Sequence, residues 1–122
     1  MVVNRNRDFL VGLVREASRR RYESEWLEFK RNQSDPRGIG EYILALANSA
    51  ALHGRPSGYL IWGIEDRTRA VVGTNFLPTR TSRGNEPLEA WLLKLLSPRA
   101  DFKLYEISVS GRPAVLLEID RM

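Results

Sequence analysis

The sequence has no cysteine and a single histidine, His53. Disulfides and thiolate metal sites are thereby excluded, and the His/Cys ligand sets of zinc cannot be assembled. Any metal would have to sit among oxygen ligands, which suits magnesium, manganese or calcium. No apolar run approaches the roughly 18 residues that span a bilayer, and the opening "MVVNRNRDF" lacks the apolar segment of a secretion signal. These absences set the expectation of a cytoplasmic protein with no membrane partner. The phosphate loop G-x-x-x-x-G-K-[ST], the G-x-G-x-x-G turn and the G-x-S-x-G elbow do not occur. P-loop nucleotide hydrolysis is ruled out and His53 has no triad to join, although an ATP site of another design is untouched by this argument. Lysine is scarce as well: of nineteen basic residues, sixteen are arginine.

What is present describes an ordinary folded chain. At 122 residues, 43% hydrophobic and 28% charged with three tryptophans, it can bury one core, and a single domain over residues 1–122 is expected. It halts at "DRM" directly after an apolar strand, which suits an N-terminal module of a longer protein. A net charge of +4 and a pI near 9.8 favour a polyanionic partner, nucleic acid first, provided the basic residues gather on one side; scattered, they are solvated surface.

Periodicity yields an element order. Residues 6–19 place Phe9, Leu10, Leu13, Val14 and Ala17 at helical spacing. Residues 25–30 alternate, with Leu27 and Phe29 on one face and Trp26, Glu28 and Lys30 on the other, as a half-buried strand requires. A second helix is expected over 38–51, then a strand buried on both faces in "GYLIWGI", returning as a hairpin near 70–72. "LPTRTSRGNEP" reads as an exposed loop, 86–96 as a third helix with Leu88, Trp91, Leu92 and Leu95 inward, and 102–109 with 113–119 as a hairpin turning at Gly111. The order α-β-α-β-β-α-β-β makes an α+β fold, a mixed β-sheet with helices packed against it. The final hairpin offers an edge through which a homodimer can form.

The candidate chemistry lies around the first strand, "YESEWLEFKRN". Glu28 and Lys30, two residues apart, share a face at about 7 Å spacing. Glu23 stands where the chain enters that strand and can curl toward the same face. Glu65 and Asp66 follow the apolar strand at its end, so adjacent strands would bring two or three carboxylates and one ammonium together. Such a grouping can hold divalent cations that polarise a phosphodiester and activate water, while a lysine stabilises developing charge. The ordinary alternative is a solvated strand face with a weak ion pair, worth about 0–1 kcal/mol. Lys30, Arg31, Arg37, Arg67 and Arg69 lie near the ends of the same two strands, and Arg20 and Arg21 precede the first, so they are the candidates for phosphate contacts. The "SRRR" run containing Arg20 and Arg21 also suits a helix C-terminus. Trp26, Tyr59 and Trp62 could stack on bases, but on apolar strands aromatic residues are usually core.

"ESEWLEFKRN", a helix ending "ILALANSA", the stretch "GYLIWGIEDRTRAVVGTN", a helix ending at Ser97-Pro98 and a closing hairpin together resemble the Schlafen-type AlbA domain. The resemblance runs from about Tyr22 onward. It implies a nucleic-acid-binding domain, for DNA or RNA, of the kind found at the N-terminus of bacterial transcriptional regulators and also catalogued as a divergent AAA-type ATP-binding domain. From the Schlafen ribonucleases it further implies a three-carboxylate site for Mg2+ or Mn2+ made by Glu23, Glu28 and Asp66, with Glu65 the neighbouring candidate and Lys30 as catalytic helper. One departure stands out: the family's compact Asn-Thr-x-Gly-Gly is replaced after Asn48-Ser49 by the longer "AALHGRPSG", in which Gly58 keeps its place.

Overall fold

The computed structural model describes residues 7–19, 27–32, 35–65, 67–96 and 101–121, with the backbone alone at residues 7, 8, 17 and 18. Helix α1 (Arg7–Ser18) is followed by strand β1 (Leu27–Lys30), helix α2 (Pro36–Leu52) and strand β2 (Ser57–Trp62). After a 3-10 turn at Pro78–Arg80 come two short strands, β3 (Ser82–Arg83) and β4 (Glu86–Pro87), helix α3 (Leu88–Leu96), and strands β5 (Phe102–Val109) and β6 (Arg112–Asp120). The fold is α+β, with the expected element order. No helix among the described residues is long and apolar enough to cross a membrane.

The main sheet runs β1-β2-β6-β5. β1 and β2 are parallel, as two strands joined through a helix must be if the connection covers one sheet face. β6 pairs antiparallel with both β2 and β5. The β5–β6 turn is the two-residue Ser110-Gly111, with φ of 52° and 77°; positive φ at both positions matches the twist of a tight hairpin. β2 is buried on both faces, as its nearly continuous apolar sequence requires.

The expected return strand at 70–72 reduces to one antiparallel bridge, Ile64 with Val71. β2 has no edge to offer a longer partner, since β1 occupies one side and β6 the other. The loop at 77–87 holds more order than its composition suggests: β3 and β4 pair as a small hairpin, and the Leu88 amide donates to the Thr81 carbonyl at 2.9 Å. Helix α2 starts two residues before the expected position, because Asp35 caps it by accepting from the Gly38 amide at 3.1 Å and Pro36 fills the first helical position.

Alternation along the strands builds two apolar layers. On one face, Ile39, Ile43, Leu46 and Ala47 of α2 and Leu88, Leu92 and Leu96 of α3 pack on Leu60, Trp62, Val115, Leu117 and Ile119. On the other, Leu10 and Val14 of α1 cover Leu27, Phe29, Ile61, Ala114 and Leu116. Two residues depart from the expected inward stripes. Phe9, 51% exposed, lies at the rim of the stripe centred on Leu10 and Val14. Leu95, 42% exposed, lies over Gly40, where an added Cβ would come within 2.6 Å of Leu95 Cδ2.

Candidate nucleic-acid interface at the carboxyl end of the parallel strands

β1 lies at the sheet edge and presents Glu28 and Lys30 to the face that α2 covers, opposite the buried Leu27 and Phe29. Lys30 Nζ stands 3.7 Å from Glu28 Oε2, with 26% and 21% of the two side chains exposed. The ammonium also lies 4.3 Å from the ring centroid of Tyr42 on α2, where the negative face of the ring attracts it. The carboxylate and the aromatic face together hold the lysine at the seam between strand and helix.

The turn after β2 is closed in part by Glu65. Glu65 Oε2 accepts from the Thr68 amide at 2.7 Å, while the Glu65 backbone closes the same turn through its carbonyl to Arg69 N at 2.8 Å and its amide to Ala70 O at 2.9 Å. The Thr68 backbone hydrogen bond, with help from the Thr68 side chain and the nearby Arg67, holds the Glu65 carboxyl below its ordinary pKa despite slight desolvation. Glu65 is thus a turn-closing residue whose carboxylate is held in its charged form.

Glu23 and Asp66 lie outside the described residues, as do Arg20, Arg21 and Trp26. Among the described residues no three acidic or histidine side chains gather in a way that could hold a metal ion. Of the implied metal ligands, Glu28 alone is described, and its carboxylate faces Lys30. Oxygen donors of this kind have the right chemistry for Mg2+ or Mn2+.

Arg31, Arg37, Arg67 and Arg69 are among the described residues. β1 and β2 point their carboxyl ends the same way, and ligands favour this location in sheets with parallel strands. Arg31 follows β1 directly, Arg37 sits in the first turn of α2, and Arg67 and Arg69 lie on the turn beyond β2. The amino end of α2, with its partial positive charge, is at this end too. Arg37 pairs with Glu41 at 3.5 Å across one helical turn, both well exposed; such a pair is worth about 0.3–0.5 kcal/mol and yields readily to a phosphate. Arg67 is exposed. Arg69 differs: it has φ of 63° and its guanidinium lies 4.6 Å from the Phe29 ring centroid, packed onto the α1 face of the sheet.

A further basic residue, Arg112, escapes a reading of the sequence along the chain. It starts β6 some eighty positions after Arg31, yet the register Lys30–Trp62–Val115 brings the start of β6 to the end of β1. The short "SGR" turn is the available signal, since it dictates that β6 begins where β5 ends. The aromatic residues divide as their strand placement suggests: Trp62 is fully buried and Tyr59 half-buried, its hydroxyl donating to Glu118 Oε2 at 3.3 Å. His53 caps the end of α2 through Nδ1, 2.7 Å from the Ser49 carbonyl.

A family model described as "Schlafen, AlbA_2" matches residues 23–122. Comparison with curated proteins finds no match.

Proposed function

The chain belongs to the Schlafen AlbA_2 family, and from that premise we propose that it is a nucleic-acid-binding domain of a transcriptional regulator, holding DNA or RNA mainly through phosphate contacts. The observation that supports this reading is the collection of Arg31, Arg37, Arg67 and Arg112 at the end of the sheet where β1 and β2 terminate. Arginine presents several donors in a fork that fits phosphate oxygens. Its dominance over lysine here suits backbone recognition, whereas base readout requires side chains projected into a groove.

Salt dependence is the test. With about four phosphates neutralised, the logarithm of affinity is expected to fall with a slope of roughly −3 to −4 against the logarithm of salt, so doubling salt weakens binding about tenfold. Fluorescence anisotropy with labelled single- and double-stranded oligonucleotides measures it. An affinity that is flat between low and moderate salt would defeat the reading.

Glu28 and Lys30 sharing one face of the edge strand favours a second reading, a divalent-metal-dependent ribonuclease. Glu23, Glu28 and Asp66 would then hold Mg2+ or Mn2+, the ion would polarise the phosphodiester, and Lys30 would stabilise developing negative charge. Glu28→Gln keeps the shape of the side chain and removes its charge. In this reading, manganese-dependent cleavage of RNA drops to background while salt-sensitive binding survives. Cleavage that persists unchanged in the variant takes Glu28 out of the site.

A further inference from the structure

Arg31 and Arg112 line one small cleft of about 280 Å3 together with Asn32, Gly73, Thr74 and Asn75. No acidic residue lines it, and neither arginine forms an ion pair with a described residue. Two arginines lining one cleft with no carboxylate among its other lining residues make a local excess of positive charge that an anion from outside would neutralise.

One lining residue, Asn32, is fixed by its own hydrogen bonds. Asn32 Oδ1 accepts from Thr74 Oγ1 at 3.0 Å and from the Asn75 amide at 2.9 Å. A backbone N–H can only donate, so these bonds fix which way the Asn32 amide faces. Its NH2 group is left as a double donor with no acceptor among the described residues. Gly73, at φ +83°, lets the returning chain press against the base of β6: a Cβ there would stand 3.4 Å from Arg112 Cβ and 3.4 Å from Pro113 Cδ. The Thr74 amide then locks that approach by donating to the Pro113 carbonyl at 3.0 Å. Residues from the end of β1, the segment beyond β2 and the start of β6 are thus tied into one rigid frame.

We infer that this cleft is a phosphate clamp, in which Arg31, Arg112 and the Asn32 amide together grip one backbone phosphodiester of a bound nucleic acid. The inference deepens the nucleic-acid-binding reading and rests on it. Guanidinium forks supply charge and paired hydrogen bonds, and the neutral amide supplies a directional donor that a solvated arginine pair would lack. The remaining arginines at this end, Arg37 and Arg67, would then follow the strand on either side of a fixed point.

The test uses the full chain and single-stranded oligonucleotides across a salt series. Arg112→Gln is expected to weaken binding uniformly across sequences and to flatten the salt slope by about one unit, with Arg31→Gln/Arg112→Gln flattening it further. Asn32→Asp keeps both acceptor bonds while replacing the donors, and is expected to weaken binding with the fold intact. Arg121→Gln is the charge control: it follows the far end of β6, about 30 Å away at the usual rise per residue, and should leave the slope unchanged. If wild-type binding is salt-sensitive but the cleft variants match Arg121→Gln, the clamp is wrong and the binding reading stands. If the wild-type chain binds no oligonucleotide, inorganic phosphate at constant ionic strength decides between sources. Movement of the Asn32 side-chain NH2 resonances in the wild type but not in the double variant would keep the clamp as a free-phosphate site, and no movement would overturn it.

Discussion

Trp62→Ala is expected to destabilise the protein by about 3–5 kcal/mol, the cost of deleting a large buried aromatic side chain whose cavity cannot fully collapse. Trp62 ends β2, is fully buried, and lies between Lys30 on β1 and Val115 on β6 in the sheet register. Its ring packs on Phe76 with centroids 4.6 Å apart and planes tilted by 31°. Both belong to the layer that holds α2 and α3 on the sheet, so the lost volume is shared by two helices and the loop carrying Phe76. Proteins of this kind have stabilities of about 5–15 kcal/mol, so the variant forfeits a large part of its margin. Urea unfolding followed by circular dichroism should give a much lower midpoint with an unchanged slope. The same variant separates the two roles open to a tryptophan on this strand. A base-stacking Trp62 would lose affinity with little change in stability, and a stable Trp62→Ala protein would therefore contradict its burial in the core.

The residues explain which features a sequence reading reaches. β2 is legible because a strand flanked by neighbours and covered on both faces must be apolar throughout, and "GYLIWGI" satisfies that locally. Glu28 and Lys30 are legible because period two holds whatever the strand's neighbours are, and their shared face follows directly. The return at 70–72 misleads for the complementary reason: Val71 and Val72 have strand propensity, but strand formation needs a free edge, and the pairing of β6 with β2 has removed it. Propensity is local while edge availability is a property of the whole sheet. Arg112 is hidden by the same kind of gap, since its nearness to Arg31 passes through three strands and two registers. Glu65 shows a third limit. Its charge and its position beside Asp66 are plain in the sequence, whereas the hydrogen bond from the Thr68 amide to its carboxylate comes from the fold of one short turn.

Gly58 has a role that its backbone angles do not reveal, and Gly58→Val is the substitution that exposes it. Its φ is not in the left-handed region that five other glycines of the chain occupy, so any residue could adopt its backbone conformation. Space is the constraint. A Cβ at this position would lie 2.9 Å from the Leu46 carbonyl oxygen, 3.1 Å from Leu46 Cβ and 3.2 Å from the Leu46 carbonyl carbon. Two of these are backbone atoms of a central turn of α2, so no rotamer change relieves the clash and the whole helix must lift from β2. Overpacking of this kind costs about 1–3 kcal/mol, and Gly58→Val, which adds a branched side chain, is expected at the upper end, with Gly58→Ala below it. Gly12→Ala supplies the contrast: it lies within α1 with nothing within 4 Å of its would-be Cβ, and should stabilise the protein by about 0.5–1 kcal/mol through helix propensity alone. Thermal unfolding should therefore move in opposite directions for the two glycine-to-alanine variants. The functional consequence follows from what α2 carries. Tyr42, which holds Lys30 beside Glu28, and Arg37, at the basic end of the sheet, ride on the helix that Gly58 seats. Lifting α2 should thus weaken nucleic-acid binding even in the folded fraction of Gly58→Ala, although residue 58 stands at the opposite end of β2 from the arginines.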